Sequence, residues 1–121
     1  MNLRGAIDRI DSLKHNTYTV SEKVEWLSLL DGIIKEQIID THESDEEIYF
    51  YGYTDDNLDA ELLVKAPYDV LYIRWLEAQI DYYNGEIGRY NNSVQMYQAA
   101  YDNFQRHYNR THMPKGQTFK F

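Results

Sequence analysis

The chain has 121 residues, 20 of them acidic and 12 basic, with a formal net charge of -8 and no cysteine. That length fits one domain around one core, and the missing thiols exclude a disulfide framework and a thiolate metal site. With no run of about eighteen apolar residues and no basic-then-apolar start, neither a membrane span nor a secretory signal is expected, and the reading is a soluble, cytosolic protein.

The charge is unevenly spread. Residues 1–66 hold 15 acids against 6 Lys or Arg, while residues 67–121 hold 5 against 6. From Asp40 to Glu61 there are nine carboxylates and no Lys or Arg. Binding to nucleic acid through counterion release needs cations against phosphates, so sequence-specific nucleic-acid binding is not expected. The acidic run reads most simply as a solvated loop.

In chain order, "NLRGAIDRIDSLK" sets Leu3, Ile7, Ile10 and Leu13 at steps of three and four, an amphipathic helix. Thr19 followed by Glu22 is a capping-box pattern that starts a second helix. That helix runs to about Ile39, and its apolar set (Val24, Trp26, Leu27, Leu29, Leu30, Ile33, Ile34, Ile38, Ile39) is broader than one stripe, as in the centre of a core. Between residues 41 and 66 the helical period disappears. There "IYFYGY" at 48–53 and "ELLVK" at 61–65 flank the turn-rich "TDDNLDA", which reads as a short β-hairpin, or else an extended acidic loop, inserted between helices two and three.

Pro67 suits the first turn of a third helix. From Ile73 the apolar residues fall at Leu76, Ile80, Tyr83, Ile87, Tyr90, Val94, Tyr97, Tyr101, Phe104 and Tyr108, every step three or four. Against one continuous helix stands "NGEIGRYNN" at 84–92, rich in residues that disfavour helix interiors. Two helices are expected, about 67–84 and 92–111, with one long bent helix over 73–108 as the alternative. The expected architecture is thus a mainly α protein: a bundle of about four helices over 1–112, followed by a basic tail at 113–121.

Asp55, Asn57 and Asp59 match the first three ligand positions of an EF-hand, but Ala60 and Ala66 stand where the loop needs its glycine and its bidentate acid. An Asx-rich turn is the better reading. His107 and His112 are five apart, which on a helix separates them by about 140 degrees and does not suit zinc. His15 and His42 fall in loops. No cofactor or metal is expected. The chain also lacks G-x-S-x-G, P-loop and G-x-G-x-x-G patterns, and none of its carboxylates reads as lying in an apolar setting, so no catalytic residue is assigned.

The remaining feature is the aromatic series Tyr90, Tyr97, Tyr101, Phe104 and Tyr108. Stacking platforms for single-stranded nucleic acid interleave aromatics with cations, and here only Arg106 and Arg110 are present, near the end. Three-four spacing marks packing. These rings therefore read first as core and second as an oligomer interface.

Residues 67–116, with "PYD" at 67–69, "EAQIDYYNGE" at 77–86, "YNNS" at 90–93 and "YNRTH" at 108–112, together with "LLDGIIKEQI" in helix two, resemble the small head-tail connector (head completion) proteins of tailed bacteriophages and prophages. The resemblance implies a mainly helical, non-enzymatic virion protein. It would form a homo-oligomeric ring on assembly beneath the portal protein, with a monomer in isolation left open, extend the DNA channel and meet the next head-tail joining or tail protein. Its place would be the head-tail junction, and the host cytoplasm before assembly. On that reading the acidic loop residues Glu43, Asp45, Glu46, Glu47, Asp55, Asp56 and Asp59 face the channel or a partner. The alternative class is a small acidic DNA mimic or regulator that binds a basic protein partner.

Overall fold

The computed structural model describes residues 1–43 and 47–115. Four helices form an up-down-up-down bundle: α1 (Leu3–Leu13), α2 (Val20–Ile34), α3 (Val70–Tyr83) and α4 (Ile87–Thr111). None of these helices is long and apolar enough to cross a membrane.

The helix starts follow side-chain chemistry. Asn2 Oδ1 accepts from the Gly5 N–H at 2.8 Å, and Thr19 Oγ1 accepts from the Glu22 N–H at 3.1 Å, as the capping pattern predicts. Past Ile34 the second helix widens into a π turn, Lys35–Ile39, closed by the Asp40 N–H on Lys35 O at 2.8 Å. Ile34, Ile38 and Ile39 are all buried across it. They join Leu3, Ile7, Ile10, Leu27, Leu30, Leu71, Tyr72, Leu76 and Ile80 in one core. Leu13, counted in the α1 stripe, is instead half exposed at the helix end.

The hairpin expected over 48–53 and 61–65 does not form; among the described residues those two segments do not pair with each other, and Glu61 instead makes an antiparallel bridge with Asn2. Their backbone groups are taken elsewhere. Leu58 and Ala60 carbonyls accept the N–H groups of Arg4 (2.9 Å) and Leu3 (3.1 Å), orphaned at the start of α1, and Leu62 N–H donates to Met1 O at 3.0 Å. Tyr53 N–H donates to Ser28 Oγ at 2.8 Å. A two-stranded ribbon is marginal by itself, and here the helices outbid it as hydrogen-bond partners. The segment is an extended acidic loop.

Pro67 lies ahead of α3 rather than in its first turn; the Ala66–Pro67 bond is cis, and residues 65–68 form a turn through Tyr68 N–H and Lys65 O at 3.0 Å. The third and fourth helices are separate, and the break is shorter than the 84–92 expected. Gly85, at φ +73°, ends α3. Glu86 N–H reaches Asp81 O at 3.1 Å and Gly85 N–H reaches Tyr82 O at 3.0 Å, a Schellman closure. Because this closure needs one residue of positive φ, a single glycine suffices. Gly88, Asn91 and Asn92 are then absorbed into α4. The reversal sets a different, aromatic face of the 68–83 segment against α4, while Ile73, Leu76 and Ile80 of the expected series lie in the core and Tyr83 stacks on Trp26. Tyr82 meets Tyr90 (ring centroids 5.4 Å apart), Trp75 meets Tyr97 (5.1 Å) and Tyr68 meets Phe104 (6.4 Å), the rungs of an antiparallel helix pair.

Candidate functional site

The aromatic series on α4 is spent on packing within the chain. Tyr97, Phe104 and Tyr108 are buried, and Tyr90 and Tyr101 are half-buried. Tyr101 donates its hydroxyl to Gln37 Oε1 at 3.1 Å, tying α4 to the π turn. Burial raises the phenol pKa values of Tyr97, Tyr101 and Tyr108, so each remains a neutral donor.

The histidines are packed apart. His42 is buried, its Nδ1 2.6 Å from Ile38 O and its Nε2 2.7 Å from the Asn109 side-chain amide, with its ring edge-on to Tyr108. It locks the end of the second helix to the end of α4, a role its place in a loop did not suggest. His107 stacks on Tyr68 at 4.4 Å and His112 on Tyr108 at 3.8 Å.

Of the acidic loop residues, Asp45 and Glu46 lie outside the described residues, while Glu43, Glu47, Asp55, Asp56 and Asp59 are all exposed. Glu47 accepts from Tyr49 OH (2.7 Å), Asp55 accepts from Ser21 Oγ (2.5 Å), and Asp59 faces Arg4 Nε at 3.5 Å. Asp55 and Asp59 thus turn to different partners. Backbone turns close from Asn57 N–H to Thr54 O and from Ala60 N–H to Asn57 O, each at 3.3 Å, the Asx-rich turn expected.

The expectation that no carboxylate sits in an apolar setting is overturned by Asp31 and Asp81, both fully buried. Asp31 occupies a position in the α2 stripe Val24, Leu27, Asp31, Ile34, Ile38, at unbroken steps of three and four. That single carboxylate in a core register was the available signal. It accepts from three donors: Tyr53 OH, Tyr72 OH at 2.6 Å and the Leu63 N–H at 3.1 Å. Tyr72 OH in turn accepts from the Val64 N–H at 2.8 Å. Desolvation raises the Asp31 pKa, and the three hydrogen bonds pull partly against it. The carboxylate raises both phenols further, on top of their own burial.

This cluster pins the acidic loop at two points, Tyr53 and residues 63–64, onto α2 and α3. With three donors supplied from inside the fold, Asp31 serves as an anchor for the loop.

Asp81 binds the other end of the bundle. Lys14 Nζ lies 2.5 Å from Asp81 Oδ1, in ionic contact at an angle outside hydrogen-bond geometry, and Ser93 Oγ donates to Oδ2. Three helices, α1, α3 and α4, meet there. Nearby, Lys23 is buried with its ammonium on Asp11 Oδ1 (2.7 Å) and Tyr18 O (2.9 Å). Burial works against the Asp11 charge, but the Lys23 and Asn16 hydrogen bonds outweigh it and hold its pKa below the ordinary carboxylate value.

Among the described residues the surface includes two clefts. One, of about 420 Å³, lies between α2 and the loop and is lined by Ser21, Glu25, Ser28, Tyr53 and Asp55. The other, of about 300 Å³, sits at the α3–α4 turn and is lined chiefly by Tyr82, Ile87, Tyr90 and Asn91, with Asp81 and Glu86 at its base and rim. Comparison with protein-family models, curated proteins and solved structures finds no match for this chain.

Proposed function

We propose that the chain is a non-enzymatic structural protein of a tailed bacteriophage or prophage, a head-tail connector that forms a homo-oligomeric ring under the portal and extends the DNA channel toward the tail. The observation that carries this reading is the stretch from "PYD" through "EAQIDYYNGE" and "YNNS" to "YNRTH", which resembles that family and spans the whole α3–α4 hairpin. The fold supports it in kind. A small helical body, with a long acidic loop held on one flank and a cleft at the far turn, offers the two unlike surfaces that a ring requires.

In this reading the exposed carboxylates Glu43, Glu47, Asp55, Asp56 and Asp59 face the channel or the portal, where like charge keeps DNA from adhering as it passes. The DNA-mimic alternative calls for carboxylates arrayed across a folded surface, and the clustering of five exposed acids in one loop speaks against it. Electron microscopy of particles assembled without this protein tests the proposal. It expects filled heads that leak DNA or fail to join tails; normal particles would refute it.

A further inference from the structure

The structure places one buried titratable ring at the point where two chain segments leave the bundle. His42, 6% exposed, follows the π turn and lies against Tyr108 and Asn109 in the last turn of α4. On either side of it the backbone is pinned to the segment that follows α4. Glu43 N–H donates to Met113 O at 2.7 Å, Lys115 N–H donates to Thr41 O at 2.8 Å, and between them His42 bridges Pro114 in antiparallel sense. The acidic loop departs from one strand of this pairing and the C-terminal segment from the other. Whatever holds His42 therefore holds both exits.

Both ring nitrogens face oxygen. Nδ1 lies 2.6 Å from Ile38 O, a carbonyl that can only accept, and Nε2 lies 2.7 Å from Asn109 Oδ1. Thr41 Oγ1, 3.0 Å from Nδ1, spends its own proton on Ile38 O at 2.8 Å and so adds another acceptor on that side. A neutral imidazole has one N–H and one lone pair and can satisfy only one of these two faces, whereas the imidazolium has two N–H groups and satisfies both. The Ile38 carbonyl claims the Nδ1 proton. The second proton then decides whether Nε2 donates to Asn109 or turns a lone pair on its oxygen.

The charged and titratable neighbours come from three segments. Asp40 and Glu43 flank the ring in the chain, and Asp40 is paired with Lys35 Nζ at 2.9 Å. From α4 come the Tyr108 phenol, edge-on at 5.0 Å and kept neutral by burial, and His112, stacked behind it at 3.8 Å. The segment after α4 brings Lys115. Among these neighbours only His112 is of a residue type that changes charge between about pH 5 and pH 8, so it is the one competing sensor.

We propose that His42 is a proton-gated clasp: its imidazolium ties the π turn to the end of α4 and steadies the pairing of 41–43 with 113–115, and loss of one proton releases the Asn109 side. The folded clasp takes up a proton that the ring in an unfolded chain holds less firmly, so its contribution is present in acid and is lost as pH rises. This goes beyond the proposed function and holds whether or not the chain forms a ring.

The test is amide hydrogen exchange of the isotopically labelled full chain, followed by nuclear magnetic resonance at Glu43 and Lys115 between about pH 5 and pH 8, with the ring nitrogens of His42 observed in parallel. After division by intrinsic exchange rates, protection at both amides is expected to rise about tenfold toward the acid end, the factor for one charge-assisted hydrogen bond, as Nε2 becomes protonated. Asn109→Leu, at an exposed position, should leave the chain folded and remove the rise, while His112→Gln should preserve it. Protection that falls toward acid would overturn the proposal, because Asn109 would then be presenting its NH2 group to a neutral ring. A flat profile, a rise that survives Asn109→Leu, or one that vanishes with His112→Gln would overturn it as well.

Discussion

The Tyr72 hydroxyl stands between two elements: it donates to Asp31 on α2 at 2.6 Å and accepts from the Val64 N–H of the loop at 2.8 Å. Removing it strands a buried backbone donor and deprives a buried carboxylate of one partner. Tyr72→Phe is therefore expected to cost roughly 1–3 kcal/mol for each group left unpaired. Tyr53→Phe, which keeps the Val64 contact, is expected to cost less. Urea denaturation of the two variants checks the order, and equal losses would contradict it.

Asp31→Asn replaces one of the two acceptor oxygens by an NH2, so either Tyr72 or the Tyr53–Leu63 pair of donors loses its acceptor, and a loss of about 1–3 kcal/mol is expected at neutral pH. The sign of the pH effect follows from the raised pKa of Asp31. The contribution of this carboxyl is fully present below its unfolded value and declines as pH rises through its folded value. The stability gap between wild type and Asp31→Asn should therefore be widest in acid and narrow toward neutrality. Asp11 runs the other way: its pKa is lowered, so its contribution is present above the unfolded value and is lost as pH falls through the folded one. Denaturant midpoints over an acid-to-neutral series measure both.

If the α4 rings are packing, truncating a buried one is expensive and truncating an exposed neighbour is not. Phe104→Ala is expected to cost about 3–5 kcal/mol. Met96→Ala, on the outer face of the same helix, should stay within about 0.5 kcal/mol of wild type. Calorimetry or denaturant titration decides. Similar small effects at both positions would contradict the packing assignment.

Lys14→Met leaves Asp81 buried with Ser93 as its remaining partner. Breaking a buried pair from one side costs roughly 3–5 kcal/mol, and the partial exposure of Lys14 places this variant at the lower end. The double variant Lys14→Met with Asp81→Leu should recover part of the loss, read as a thermodynamic cycle. No recovery would mean that the two residues act independently.

The helices were legible because their signals are local: the Thr19–Glu22 cap, the Leu3–Ile7–Ile10 stripe and the three-four spacing of α4 depend only on near neighbours. The reversal at Gly85 was half legible. The glycines and asparagines marked a break, but a Schellman closure needs only one positive φ, so the helix resumed sooner than composition implied. The hairpin failed for a non-local reason, since its backbone groups found Met1, Leu3, Ser28, Asp31 and Tyr72, which no window around residues 48–65 contains. Asp31 was visible as one carboxylate in an apolar register, but reading it as an anchor required Tyr53 and Tyr72, 22 and 41 residues away. Asp81, whose partners are Lys14 and Ser93, depended likewise on the way the bundle folds back.

The proposed function has this small helical protein assemble as a ring on a portal. Purified chain mixed with a tailed-phage portal protein, imaged by cryo-electron microscopy, tests the proposed ring most directly. The account predicts a closed ring of copies seated on one end of the portal, with the 47–61 loop of each subunit at the lumen or against the portal surface. A chain that leaves the portal bare, or a ring whose acidic loops lie on the outer rim facing solvent, would contradict it.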